Sequence, residues 1–169
     1  MKLMILNGPC AVGKSTIAAK LHELIPLSFL LDVDAQMRFI SHYREYPEER
    51  KKATIAISDV LINAMLELGH DVIVDKMIFH EEILDSYYSL AEKYNAKVYE
   101  IILWAPKEVI LQRADDRGWR KDGLLTPEKL EIFWDKINQL KENRANAVIF
   151  DTSKMSEELV FQKVKKLVI

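Results

Sequence analysis

Eight residues near the start of the chain constrain its fold more than anything else in it. Gly8-Pro9-Cys10-Ala11-Val12-Gly13-Lys14-Ser15 sets two glycines five positions apart and follows the second with lysine and a hydroxyl residue. The apolar run Leu3 to Leu6 leads into this octapeptide, and an amphipathic stretch beginning at Lys14 leads out of it. Gly8 and Gly13 let the backbone turn through angles that other residues resist, so successive N–H groups can close round an anion. A helix opening at Lys14 adds the positive end of its dipole. The spacing and its context therefore imply a strand, a phosphate-holding loop and a helix.

The residue types assign the parts of that loop. Gly8, Pro9, Cys10, Ala11, Val12 and Gly13 form the cradle, with Cys10 as a spacer in it. Lys14 is expected to reach the β- and γ-phosphates of a nucleotide, Ser15 to hold a magnesium ion and Thr16 to contact the α-phosphate. ATP and Mg2+ are the expected cofactors.

The rest of the chain repeats the alternation begun there. Strands are predicted at 2–7, 28–34, 71–75, 97–104 and 147–150, each short and rich in apolar residues, as strands covered on both faces should be. Helices are predicted from Lys14 to Ile25, from Pro47 to Leu68 and from Glu81 to Tyr94, with further starts at Pro106, Pro127 behind its cap Thr126, and Ser156. For the second of these the apolar spacing predicts a buried stripe of Ala53, Ile57, Val60, Leu61, Ala64, Met65 and Leu68. The pattern is that of an α/β fold round a parallel sheet. A chain of 169 residues without an evident linker reads as one domain over 1–169.

Composition narrows the function classes. The chain is 49% hydrophobic and 30% charged, with 24 basic against 26 acidic residues and a net charge of −2, which excludes a disordered chain and bulk-charge coating of nucleic acid. A lone cysteine excludes a disulfide-stapled fold, and no apolar run suits a signal peptide or a membrane span, so the cytoplasm is the expected location. His22, His42, His70 and His80 show no metal-ligand spacing.

Acids end two of the predicted strands, where ligands of parallel sheets gather. If the second strand continues to Asp34, then Asp32 and Asp34 share a face, and two close carboxylates would raise the proton affinity of one, as a general base requires. Asp34 is the candidate base, while Asp32 is read as either a substrate contact or a helix cap. Asp75 closes the third strand and is expected to face magnesium or its waters. After the fourth strand, Arg113, Arg117 and Arg120 lie in a stretch interrupted by Gly118 and Gly123. That stretch reads as a lid over about 113–126 whose guanidinium groups meet transferring phosphoryl charge. Arg113 and Arg117, four apart, are expected on one helix face.

Together these residues resemble the small P-loop kinases typified by chloramphenicol phosphotransferase, to which gluconate kinase and polynucleotide 5′-kinase domains are also similar. Val33-Asp34 matches the family's valine–aspartate pair and favours Asp34 over Asp32 as base. Arg113 to Arg120 resembles the family's lid pattern, and Phe150-Asp151-Thr152-Ser153 resembles its last strand and adenine-flanking loop. The resemblance implies a five-stranded sheet of order 2-3-1-4-5 and an acceptor region at about 35–69. No chloramphenicol pocket is recognisable in that region, where Arg38 reads as either a grip on an anionic acceptor or a surface residue. Met37, Met77 and Phe79 read as core residues unless the acceptor site claims them. The leading expectation is an ATP-dependent kinase acting on a hydroxyl of a small molecule, an antibiotic or a sugar-like metabolite. A 5′-hydroxyl kinase of nucleic-acid ends is the alternative, and a non-catalytic nucleotide binder is a third reading. The missing Asn-Lys-x-Asp motif weighs against a GTPase switch, and the missing Asp-Gly-x-Pro-Arg signature against a nucleoside monophosphate kinase.

Overall fold

A computed structural model of the protein describes residues 1–119 and 125–169. Five parallel strands form one sheet: β1 (Lys2–Asn7), β2 (Phe29–Asp32), β3 (Val72–Asp75), β4 (Lys97–Trp104) and β5 (Val148–Asp151). Their spatial order is β2-β3-β1-β4-β5, as the resemblance implies. Parallel neighbours need crossovers, and the described residues supply α1 (Lys14–Leu24), α2 (Val33–Gln36), α3 (Pro47–Glu67), α4 (Glu81–Lys93), α5 (Lys107–Arg117), α6 (Pro127–Asn143) and α7 (Glu157–Val168). Thr126 and Ser156 cap α6 and α7, accepting from the N–H groups of Lys129 and Leu159 at 3.3 Å each. No helix among the described residues is long and apolar enough to cross a membrane.

Alternation along β1 shows why both faces of the sheet are dry. Met4 and Leu6 join Ile17, Leu21, Ile101, Leu103 and Val164 on one side. Leu3 and Ile5 join Ile62, Leu66, Val72, Val74, Leu84 and Tyr87 on the other. A strand with period-two side chains and helices on both faces must be apolar wherever it is covered, which is why β1 carries only apolar residues between Lys2 at its half-buried start and Asn7 at its end.

Two expectations fail in instructive ways. In α3 the buried row is Thr54, Ser58, Ile62 and Leu66, whereas Val60 and Leu68 of the predicted stripe are 67% and 66% exposed. Thr54 Oγ1 donates to the Arg50 carbonyl at 2.7 Å and Ser58 Oγ to the Thr54 carbonyl at 2.8 Å, so both hydroxyls enter the core satisfied. Hydrophobic spacing cannot register a hydroxyl that carries its own acceptor. The second failure is β2, which stops at Asp32 rather than Asp34. The Asp32 carboxylate accepts from the Ala35 N–H at 3.0 Å and starts α2, so Asp32 and Asp34 do not share a strand face.

Candidate active site

The loop between β1 and α1 has the backbone its glycines imply. Gly8 lies at φ 139° and Gly13 at φ 93°, both in the region that favours glycine, and Ala11 between them has φ 60°. At Gly8 a Cβ would stand 2.0 Å from the Leu103 carbonyl oxygen, so the loop is pressed against the end of β4. Asn7, fully buried, fastens it on the other side. Its Oδ1 accepts from the N–H of Gly8 at 2.7 Å and of Ile78 at 2.8 Å, and its Nδ2 donates to the Ile78 carbonyl at 2.8 Å. One side chain thus ties the phosphate loop to the segment that follows β3.

Lys14 turns its ammonium back into the loop and donates to the Pro9 carbonyl at 2.9 Å. Burial holds its proton affinity below the ordinary lysine value, against the opposing pull of Cys10, Asp75 and Asp34. Ser15 follows Lys14 in the first turn of α1, and its hydroxyl meets the Asp75 carboxylate. Burial pushes the Asp75 carboxyl above the usual range, with the Ser15 hydrogen bond and the Lys14 charge acting the other way. Ser15 and Asp75, far apart in sequence, therefore stand together under the loop. Among the described residues no three His, Cys, Asp or Glu side chains cluster closely enough to hold a metal by themselves. A hydroxyl and one buried carboxylate nevertheless suit a magnesium ion, which takes few protein ligands and completes its shell with phosphate oxygens and water.

Register places Asp32 beside Asp75 at the ends of β2 and β3. Asp34, in the first turn of α2, is exposed and forms an ion pair with Lys76, the residue after β3. Both border a cavity of about 540 Å3 that opens onto the loop at Cys10. Its walls come from α2 and the short 3-10 helix Met37–Phe39, from α3, from 76–80, and from Arg117, Leu125 and Phe133. Met37, Met77 and Phe79 all line it, so it claims residues that read equally well as core. Phe79 stacks on Phe133 with ring centroids 5.8 Å apart. Arg38 also lines the cavity, whereas Phe39 is 84% exposed and points away from the core.

The arginines after β4 separate. Arg117, the last residue of α5, reaches the cavity wall. Arg113 is fastened to the far end of the sheet: Nη1 donates to Thr152 Oγ1 at 2.9 Å and Nη2 to the Thr152 carbonyl at 2.8 Å. Thr152 is itself held by the Trp104 carbonyl, which accepts from its N–H at 2.8 Å. Asp151 accepts from the Ser153 N–H at 2.9 Å and hydroxyl at 2.6 Å, bonds that keep its carboxyl below the usual range. Arg120 and Gly123 lie outside the described residues. Thr16 is exposed on the first turn of α1.

Sequence reasoning passed over Asn7, Lys76 and Arg50. Asn7 had a signal, an amide side chain closing an otherwise apolar strand at the foot of the loop. Lys76 and Arg50 had none, because their relation to Asp34 and the cavity exists only after β3 and α3 have packed.

This sheet order, with a glycine loop between β1 and α1 and a carboxylate under it at the end of β3, defines a P-loop protein. Residues 3–131 match a family model described as an AAA domain, and the chain belongs to that family. No curated protein sequence matches significantly. Among solved structures the chain is similar to the tunicamycin resistance protein of Deinococcus radiodurans, at 23% identity over 99% of this chain and 95% of that one, with a TM-score of 0.64. A sugar kinase from Janibacter sp. is similar at 18% identity over 99% and 94%, with a TM-score of 0.70. Deoxyadenosine kinase from M. mycoides, solved with dCMP and dCDP, is similar at 13% identity over 98% of each chain, with a TM-score of 0.60. At these identities the likeness establishes the fold.

Proposed function

We propose that this protein is an ATP-dependent kinase that phosphorylates a hydroxyl of a small molecule, acting as one domain over 1–169. The observation that carries the proposal is the cavity, which opens onto the phosphate loop at Cys10 and has the Asp34 carboxylate on its wall. A nucleotide on the loop and an acceptor in the cavity would meet there. Solved structures of the same fold include proteins described as a sugar kinase and a deoxyadenosine kinase, which supports the reaction class and leaves the acceptor to this chain's own residues.

ATP supplies the phosphoryl group. Asp34 accepts the proton of the acceptor hydroxyl as its oxygen bonds to the γ-phosphorus and the bond to ADP breaks. Lys76, paired with Asp34, keeps that carboxylate turned toward the cavity. Lys14 and the loop N–H groups stabilise charge on the phosphates, and Arg117 does so from the cavity wall. Ser15 and Asp75 would hold magnesium, whose charge offsets that of the β- and γ-oxygens. Arg113, Asp151 and Thr152 frame the nucleotide base at the end of β5, so Arg113 serves binding more than transfer. Asp32 acts on the acceptor side through the α2 turn that it caps and that carries Asp34.

A second reading, a 5′-hydroxyl kinase of nucleic-acid ends, is favoured by the exposed Arg38 and Phe39 near the cavity, a cation and an aromatic face suited to a strand. Acceptor-dependent ADP formation separates the readings. Antibiotics, sugars, nucleosides and 5′-hydroxyl oligonucleotides are each supplied with ATP and Mg2+, and products are weighed by mass spectrometry. A small molecule gaining one phosphoryl group is the expected result. ADP formation no faster with any acceptor than without would leave a nucleotide binder that does not transfer.

A further inference from the structure

Two apolar rows run along α3, and the fold uses one of them. Thr54, Ser58, Ile62 and Leu66 enter the core, and Leu61 and Met65 pack against its rim. The rest of the stripe faces water. Val60 is 67% exposed and Leu68 66%, Ala56 is exposed, and Ala53, Ile57 and Ala64 beside them are half-buried. The helix packs on β3, α2 and α4 through its other sides. A solvent-facing row is ordinarily polar and charged. Here the one charged residue between Lys52 and Glu67 is Asp59, and it turns aside to α4, where Oδ2 accepts from Ser86 Oγ at 3.0 Å. Asn63 turns the same way, its Oδ1 accepting from Lys93 Nζ and Tyr94 Oη at 2.9 Å each. The outer face of this 21-residue helix, about 32 Å long, is therefore apolar through its middle turns.

The charges at the ends of the face indicate what covers it. Lys52 and Glu67 are both exposed, eight residues before Val60 and seven after it. At about 100° per residue they fall on the same flank of the stripe, and Leu68 falls on the other. A second copy laid antiparallel, with its Val60 on this one, brings its Glu67 within about 1.5 Å of the level of Lys52, on the same flank. Two-fold symmetry makes the reverse pair at the other end, so lysine meets glutamate twice and like charges stay apart. The same operation sets Leu68 against Ala53, a large side chain over a small one, at both ends. A lipid surface fits less well. Helices that lie on membranes flank their apolar face with lysine and arginine, whereas Glu49 and Glu67 stand on this stripe itself.

We propose that this face joins two copies of the chain as an antiparallel α3–α3 pair about a two-fold axis at Val60. A single helix pair is small among specific interfaces, so the dimer forms and parts in about the micromolar range. The cavity-facing side of α3 carries Thr54, Ile55 and Ser58, so pairing braces that wall of the cavity in both copies. Nothing in the pairing depends on the kinase reading.

Sedimentation velocity on the whole protein, over a range of concentration of about hundredfold, tests it by mass action. The dimer should grow with concentration. Val60→Asp and Leu68→Asp should each raise the dissociation constant at least about tenfold, since each would bury an unpaired charge. Thermal melts at the lowest concentration should barely change, because both side chains face water in the single chain. Lys52→Glu and Glu67→Lys should each weaken the dimer, and the two together should restore it. Val60→Cys, oxidised with copper phenanthroline, should give a covalent dimer that the natural chain, with Cys10 alone, does not give.

A chain that stays monomeric throughout would overturn the proposal. So would a dimer that Val60→Asp leaves intact, or one that the double charge reversal fails to restore. Binding to anionic lipid vesicles that is lost in Val60→Asp would overturn the second copy as occupant and assign the face to a membrane.

Discussion

The phosphate loop and the acceptor cavity meet at Cys10, yet they are built in opposite ways. The loop grips with backbone. Its donors are consecutive N–H groups, its angles are set by Gly8 and Gly13, and its partners Asn7, Lys14 and Ser15 are sequence neighbours. The cavity grips with side chains gathered from α2, α3, the segment after β3, α5 and α6. A site made of backbone needs particular residues at particular spacings, whereas a site made of side chains needs only that several elements converge. The first kind of site can be read along the chain, and the second must be read across it.

That contrast can be broken by experiment. The largest effect is expected on the loop side, where Lys14→Ala should lower kcat by about 10³–10⁵-fold, the worth of a cation that stabilises phosphoryl-transfer charge. Its melting temperature should change little, since Lys14 bonds only the loop carbonyl of Pro9 among the described residues. Steady-state kinetics beside a thermal melt decide the matter, and near-normal turnover would remove the loop from catalysis.

Next in size is a pair of substitutions across the turn from β2 to α2. Asp34→Asn should cut kcat by about 10²–10⁴-fold as a positioned base is lost. Asp32→Asn should be almost silent, because asparagine caps a helix as well as aspartate does. The reverse ranking would move the base to Asp32 and contradict the division of labour that the cap at Ala35 implies.

Asn7 lies on the boundary, and it tests whether the two sides are coupled. Asn7→Ala leaves the N–H groups of Gly8 and Ile78 and the Ile78 carbonyl without their buried partner. A loss of about 3 kcal/mol is expected from urea unfolding, with each such group contributing roughly 1–3 kcal/mol and the three not adding fully. A loss confined to activity, with stability intact, would mean that loop and cavity wall are held together by other contacts.

The smallest effect sharpens the picture of Asp75. Its carboxyl binds a proton more tightly in the fold than in the open chain, so its contribution to stability is complete below the ordinary value of 3.8 and is lost as pH rises through the raised one. In metal-free buffer at neutral pH, Asp75→Asn should therefore melt slightly higher than the natural chain, and the gap should close on acidification. A variant that melts lower at neutral pH would show that Asp75 holds the empty fold together, which would weaken its assignment to magnesium.

Legibility followed the range of the interactions. The loop, the caps Thr126 and Ser156, and all five strands were readable because each rests on residues within a few positions of one another. Asp32 was legible only as two alternatives, because substrate contact and helix cap both suit an acid after an apolar run, and the bond from the Ala35 N–H makes it a cap. The α3 stripe misled because Thr54 and Ser58 carry their polar groups into the core already bonded to their own helix. Arg113 and Arg117 share a helix and a spacing, but one guanidinium bonds Thr152 after β5 while the other borders the cavity.

By itself the sequence determined the phosphate loop, the α/β alternation and the acids at the strand ends, since glycine angles, helix dipoles and apolar periodicity act over a few residues. Tertiary structure alone decided that Ser15 meets Asp75, that Lys76 holds Asp34, and that Arg50, Arg38 and Arg117 border one cavity. Those meetings are set by the order of strands in the sheet and by the packing of α3 against it. No local rule encodes which side chains two distant segments will bring face to face.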